Sequence, residues 1–96
     1  MNYIKGTKEI DYNQNDITKF VPLLNLRGRS VLMIVKGQEQ GVVLCDLGSE
    51  FVTWRIYRHD DWANTAHGNY FKADGESREA AFRKAKANFF HRASDV

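Results

Sequence analysis

The chain has little cysteine, little proline and no long apolar stretch, and each shortage excludes a class of protein. Cys45 is the only cysteine among 96 residues, which excludes an intramolecular disulfide and a cysteine-based zinc site. The only proline, Pro22, limits any helix in the residues before it. No apolar stretch approaches the roughly 20 residues that cross a bilayer, and residues 1–12 lack the hydrophobic core of a signal peptide. We therefore expect a cytoplasmic protein with no membrane segment.

Neither basic nor acidic side chains are in large excess. The formal net charge is +2, which is too small to indicate a nucleic-acid partner by itself. The bases are nevertheless concentrated in residues 78–92, where five basic side chains accompany one acidic side chain, Glu79. The aromatic content of 12% argues against disorder, and the length predicts one domain over residues 1–96.

Three short apolar runs occupy the middle of the chain, at residues 31–35, 42–47 and 51–57. They are rich in Val, Ile, Trp and Tyr, and polar or glycine-bearing loops separate them, which is typical of antiparallel strands. The first two runs do not alternate, so both faces of those strands are apolar. A further short strand is expected near residues 69–72. Together these runs predict an antiparallel sheet of four to five strands with meander connections.

The third run alternates and therefore presents two different faces. Val52, Trp54 and Ile56 point to one side of the predicted strand. The other side carries Phe51, Thr53, Arg55 and Tyr57.

One amphipathic helix is predicted near the C-terminal end, over residues 77–93. Ser77 is a favourable N-cap, and Glu79 lies in the first turn, where a negative charge is stabilising. An apolar stripe runs along one side of this helix and is expected to lie on the sheet. The stripe consists of Phe82, Ala85, Phe89 and Ala93, with Ala81 at its edge.

The N-terminal part of the chain is less regular. Residues 1–15 are expected to form either a flexible arm or an edge strand, and Asn15 or Asp16 would cap a short helical turn over residues 17–20. Residues 21–26 are apolar enough to pack as helix or strand. The predicted fold class is thus α+β, with the C-terminal helix on one sheet face and the N-terminal segment or a second copy of the chain on the other.

Residues 75–81 and the order of the elements resemble the double-stranded-RNA-binding domain. In that family the second helix begins with a similar Gly-x-Ser followed by a lysine pair. Here Arg78 and Glu79 stand where the lysines are expected, and the family's Gly-Pro-x-His loop is missing. The resemblance covers about seven residues, and no function is transferred from it.

The only cluster of metal-binding or acid–base side chains lies in one polar loop, at His59, Asp60, Asp61 and His67. Such residues are common in solvated loops, and no further ligand has a fixed spacing from them. A metal-dependent enzyme is therefore the third interpretation. Cys45 lies within an apolar run, where its thiol would be unreactive with a raised pKa. We predict a protein that is not an enzyme and that needs no metal or cofactor.

Nucleic-acid binding is the second interpretation. Aromatic rings beside a cation on a strand face resemble a base-stacking platform, and helix bases would track phosphates. The residues proposed for this interpretation are Arg55, Tyr57, Arg78, Arg83, Lys84 and Lys86.

Protein–protein interaction is the preferred interpretation, because one helix cannot cover two apolar faces of a sheet. A closed two-fold homodimer would cover the surplus, and an unidentified protein is the other partner considered. Aromatic side chains and Arg are enriched at interfaces. The side chains expected at the contact are Phe51, Arg55, Tyr57, Trp62, Phe71 and Phe90. By analogy at the level of class, we expect an accessory protein of a phage or mobile element, such as an inhibitor of a host defence system.

Overall fold

The computed structural model describes residues 9–12 and 22–96. The elements are β1 (Glu9–Tyr12), β2 (Leu24–Leu26), β3 (Arg29–Lys36), β4 (Gln40–Asp46), β5 (Glu50–Tyr57), a 3-10 turn (Arg58–Asp60), β6 (Ala66–Lys72) and α1 (Arg78–Ala93). The predicted α+β class, with an antiparallel sheet and one C-terminal helix packed on it, is confirmed. The helical turn predicted over residues 17–20 lies outside the described residues.

The sheet is an antiparallel meander in the order β1-β3-β4-β5-β6, and β2 is a sixth strand that also pairs with β3. Two short strands share one edge of β3: β1 pairs with its second half, from Met33 to Lys36, and β2 pairs with its first half, from Arg29 to Val31. That edge is therefore built from two separate pieces of the N-terminal region. Of the two alternatives for residues 1–15, the structure shows an edge strand at residues 9–12.

The apolar run of β3 does not alternate because both faces of the strand are buried, and the strand also contains a bulge. Val31 pairs with Cys45 and Met33 pairs with Leu44, so Leu32 is an extra residue in the ladder. As a result Leu32 and Met33 both lie on the helix side of the sheet, whereas Val31 and Ile34 lie on the opposite side. All four side chains are buried.

The helix begins as predicted. The side chain of Ser77 accepts a hydrogen bond from the backbone N–H of Ala80 at 3.1 Å, and Glu79 lies in the first turn. The predicted apolar stripe is confirmed, because the buried residues of α1 are Ala81, Phe82, Ala85, Phe89 and Ala93. This stripe packs on β4, β5 and β6, where the Phe51 and Phe82 rings meet edge to face with centroids 5.4 Å apart.

A polar network ties the C-terminal half of α1 to β5 and β6. Thr53 is fully buried, and its hydroxyl donates to Asn88 Oδ1 at 2.5 Å. Asn69 donates to the same oxygen at 3.2 Å. The Arg92 guanidinium donates to the carbonyl and hydroxyl oxygens of Thr53, both at 3.0 Å, and to the carbonyl of His67 at 2.7 Å. Thr53 is the one buried polar residue in the described part of the chain, and its hydroxyl and carbonyl oxygens thus have hydrogen-bond partners on α1.

The opposite side of the sheet, here called the far face, forms a second core. Its buried residues are Val31, Ile34, Val43, Cys45, Val52, Trp54 and Ile56. None of them is more than 8% exposed. Leu23 and Leu26 from the N-terminal region and Leu47 and Trp62 from two loops pack against this core. One copy of the chain therefore covers most of the face that was expected to need a partner, and the surplus of apolar surface is smaller than predicted.

Candidate functional site: an apolar pocket on the far face

A pocket of about 280 Å³ interrupts the covering of the far face. Its lining residues are Leu24, Leu26, Ile34, Lys36, Val43, Ile56, Asp61, Trp62 and Ala63. A smaller hollow of about 80 Å³ shares Leu24, Ile34 and Lys36 with this pocket and extends it to Asp11. The pocket and hollow together form a groove between the β1–β2 edge and the loop that follows β5.

The floor of the pocket is apolar because it belongs to the sheet. Ile34 and Val43 are direct cross-strand partners, and Ile56 lies on the same face of the adjacent strand β5. These side chains are at most 8% exposed, so the floor is part of the packed core. A concave apolar surface of this kind is the usual setting for a binding site.

The outer wall is formed by a strained loop. Asp61 and Trp62 both have a φ of 59°, in the left-handed region that a bulky side chain rarely occupies. The conformation is held by backbone hydrogen bonds, from Asp61 N–H to the Arg58 carbonyl at 3.0 Å and from Trp62 N–H to the Tyr57 carbonyl at 2.9 Å. Backbone strain at a tryptophan costs stability and is typical of functional sites. Here it places the Trp62 ring at the rim of the pocket.

The two walls are also connected to each other. Arg27, which has a φ of 53°, donates from its Nε to the Ala63 carbonyl at 2.8 Å. This hydrogen bond joins the turn after β2 to the loop that carries Trp62. The separation of the two walls of the pocket is therefore set by the Arg27–Ala63 hydrogen bond.

The rim carries charges of both signs. The Lys36 ammonium lies 5.4 Å from the centre of the Trp62 ring, within the range of a cation–π interaction. Asp61 and Asp11 are exposed on the same side of the sheet as the pocket lining. Leu24, which also lines the pocket, is 42% exposed. The patch thus contains a cavity, an exposed apolar side chain, a cation and two carboxylates.

The six residues predicted to contact a protein partner do not form one surface. Phe51 is 1% exposed and lies beneath α1, so it offers no surface to a partner. The predicted face of β5 is covered by the helix, because Phe51 and Thr53 point toward α1 and not away from it. Phe71 pairs with Phe51 and is half-buried against the helix-side core. Phe90 is exposed on α1, and only Trp62 reaches the pocket.

The residues proposed for nucleic-acid binding are also separated. The Arg55 side chain belongs to the covered face of β5 and is 16% exposed; Tyr57 lies two residues further along the same face. Arg78 is bound to the Asp46 carboxylate at 2.5 Å and to the Gly48 carbonyl at 2.8 Å, and Lys84 is paired with Glu76 at 3.0 Å. Arg83 and Lys86 are exposed on the outer side of α1. Nucleic-acid binding by these bases stays a prediction.

The polar loop does not bring its acidic and histidine side chains together. The His59 ring stacks on Tyr57 with centroids 5.4 Å apart, and Asp60 Oδ2 accepts from Asn64 at 3.1 Å. His67 lies on β6. Within residues 9–12 and 22–96, no group of three or more His, Cys, Asp or Glu side chains is arranged to hold a metal ion.

The Cys45 thiol has the unreactive environment that its apolar run predicted. Burial raises its pKa from the ordinary value of 9.0 to about 12, although the nearby Arg29 opposes this shift. At pH 8 the thiolate fraction is then about 1,000-fold smaller than for an exposed thiol. We expect Cys45 to be essentially inert to iodoacetamide at this pH and to react when urea unfolds the chain, as measured by mass spectrometry.

The same pKa shift makes stability depend on pH. Because the folded state keeps its proton while the unfolded thiol ionises above about pH 9, the free energy of unfolding should fall between pH 9 and 12, by up to about 1.4 kcal/mol per pH unit. Cys45→Ala should remove this contribution to the slope. If the free energy of unfolding fell equally steeply with pH in the wild type and in Cys45→Ala, the raised pKa of Cys45 would be contradicted.

Sequence reasoning named Trp62 as a contact residue and Asp61 only as part of a metal-binding loop, and it missed the rest of the pocket. Leu24, Leu26 and Lys36 look like ordinary strand residues, and nothing in the sequence around Asp61 and Trp62 marks a left-handed backbone. The nearest signal for the pocket in the sequence was the apolar character of residues 21–26. The sequence did not show where in the fold these residues would pack.

Within the described part of the chain, no helix is long and apolar enough to cross a membrane. No protein-family model, curated protein or solved structure matches this chain, so its function is inferred from its geometry.

Proposed function

We propose that this chain is a non-catalytic protein-binding domain that forms a homodimer through the far-face pocket. The observation that carries the proposal is the strained backbone at Trp62, which holds a large aromatic side chain at the rim of a 280 Å³ apolar pocket. Large aromatic side chains at the centre of a patch are frequent anchors of protein interfaces.

The second copy is favoured over an unrelated partner because the patch is self-complementary. A two-fold interface brings the same patch of both copies together, so the patch has to contain both members of each contact. Leu24 is an exposed apolar side chain in the wall of an apolar pocket, and Lys36 and Asp61 both line that pocket. Leu24 of one copy would enter the pocket of the other, and Lys36 would face Asp61 across the axis.

The association is tested by sedimentation velocity at protein concentrations from low micromolar to millimolar. We expect a concentration-dependent dimer that Leu24→Asp weakens by at least about 10-fold, because a desolvated carboxylate would replace the apolar side chain. Phe90→Asp is the matched control. It places the same charge on an exposed apolar residue of α1, which contacts Tyr12 on the opposite side of the sheet from the pocket, and should leave the dimer intact.

A charge exchange tests the orientation of the two copies. Lys36→Glu and Asp61→Lys should each weaken the dimer, and the double variant should recover much of the association because the pair is restored with opposite signs. A chain that stays monomeric at millimolar concentration, or a dimer indifferent to Leu24→Asp, would refute the proposed interface.

We also propose the biological setting in which this protein acts. A small cytoplasmic accessory protein of a phage or mobile element, acting on a host protein, is consistent with a compact binding domain. The test is capture of a partner from the native host by the wild type but not by the Leu24→Asp variant.

A further inference from the structure

Arg55 is a largely buried cation that lacks an adequate partner among the described residues. Its side chain is 16% exposed, and its Nη1 atom is fully buried without a hydrogen bond to any described residue. The Asp95 carboxylate lies 3.9 Å from Nη2, which is longer than a hydrogen bond, and the Asp95 side chain is 67% exposed.

Such an arrangement is unfavourable for a guanidinium. The group carries five N–H donors, and buried charged donors are normally paired and hydrogen-bonded. The partial negative charge at the C-terminal end of α1, where Asp95 follows the last turn, offsets part of this cost. It does not supply the oxygen atoms that the buried donors would need.

A second guanidinium increases the local positive charge. Arg92 makes its three hydrogen bonds to neutral oxygens of Thr53 and His67. Its pKa is lowered by burial and, to a smaller extent, by the positive charge of Arg55. The two cations are therefore close enough to repel each other. Against their combined charge of +2 stands the exposed carboxylate of Asp95, which leaves a local excess of +1.

We propose that Arg55 is the centre of a binding site for one carboxylate group at the C-terminal end of α1. A carboxylate is planar and accepts N–H bonds from a guanidinium, and its single negative charge matches the local excess. Because Nη1 is closed to solvent, the incoming carboxylate would bind on the Nη2 side, beside the exposed Asp95. The exposed side of Asp95 provides the approach. This site lies on the helix side of the sheet, so it is independent of the far-face pocket.

The first test compares sodium acetate with sodium chloride at equal ionic strength, by thermal unfolding of dilute protein. At about ten times the dissociation constant, acetate should raise the Tm of the wild type by about 5–10 °C relative to chloride. Arg55→Met should lose this shift. Its Tm in chloride should equal or exceed that of the wild type, because an unpaired buried charge has been removed.

Two further variants separate binding from general salt effects. Asp95→Asn should enlarge the response to acetate, since the competing carboxylate is gone. Arg83→Met removes an exposed cation elsewhere on α1 and should keep the full response.

A parallel sedimentation measurement in chloride shows whether the carboxylate comes from a free small molecule or from a second copy of the chain. An acetate shift that requires Arg55 supports a site for a free small carboxylate. No acetate shift, combined with weaker self-association of Arg55→Met, supports a carboxylate supplied by a second copy. If Arg55→Met matches the wild type in both measurements, or lowers the Tm in chloride as much as a core substitution does, the site is refuted.

Discussion

Phe89→Ala is expected to lower the free energy of unfolding by about 3–5 kcal/mol, the largest effect of any single substitution considered for this chain. Phe89 is 0% exposed and lies in the apolar stripe of α1 that packs on the sheet. Its removal would leave a cavity between α1 and the sheet, where surrounding side chains relax only in part. A domain of this size has a total stability of roughly 5–14 kcal/mol, so the loss would be a large fraction of it.

The neighbouring Phe90 provides a matched control. It is the same residue type in the same helix, but it is 41% exposed and packs at the sheet edge, against Tyr12 of β1, and on Phe89 itself. Phe90→Ala should therefore cost about 1 kcal/mol or less. Urea unfolding followed by circular dichroism measures both values, and Phe89→Leu provides a milder core variant if Phe89→Ala does not fold. Equal losses for the two alanine variants would contradict the assigned position of α1 on the sheet.

Arg92→Met is expected to lower the free energy of unfolding by about 2–4 kcal/mol, although the side chain lies near the surface. The substitution keeps much of the apolar stem and removes three charge-assisted hydrogen bonds, two of them to the fully buried Thr53. The buried carbonyl and hydroxyl of Thr53 would then lose partners that water cannot easily replace. Relief of the repulsion with Arg55 opposes this loss, but only in part, because like charges near a surface are screened.

The control for Arg92 is Arg83→Met, which removes an exposed cation from the same helix and should change stability by less than about 0.5 kcal/mol. The double variant Arg55→Met with Arg92→Met measures the coupling between the two cations. Because the two cations repel each other, removing both relieves the repulsion only once, so the double variant should be less stable than the sum of the two single effects predicts. A loss for Arg92→Met as small as that for Arg83→Met would show that the network does not hold α1 in place.

Most of the fold was predictable because its signals are local. The N-cap at Ser77, the stripe that includes Phe82 and Phe89, and the short β-rich runs each depend on residues a few positions apart. The sequence showed that the residues around Leu32 do not alternate. It did not predict that Leu32 would form a bulge. A bulge shifts one residue against the partner strand, and no pattern within β3 shows which residue is displaced.

The candidate sites were much less predictable, and Arg55 and Trp62 illustrate the reason. The alternation of β5 correctly divided its residues into two faces, but it could not show which face the helix would cover. The sequence interpretation assigned the Phe51–Arg55 face to a partner, and the structure assigns it to α1. Trp62 was selected for its residue type, whereas its role at a pocket depends on a left-handed backbone and on Leu24 and Lys36 from distant strands.

By itself, the amino-acid sequence determined the α+β class, the meander, the position of the helix and the face by which that helix packs, since periodicity and capping act over a few residues. Only the tertiary structure decided which side of the sheet receives the helix, how Leu26 and Trp62 come to cover the other side, and that Arg55 is buried beside Arg92 near the exposed carboxylate of Asp95. Those outcomes depend on contacts between residues tens of positions apart, whose free energies arise from burial and charge in the assembled molecule and leave no periodic trace in the chain.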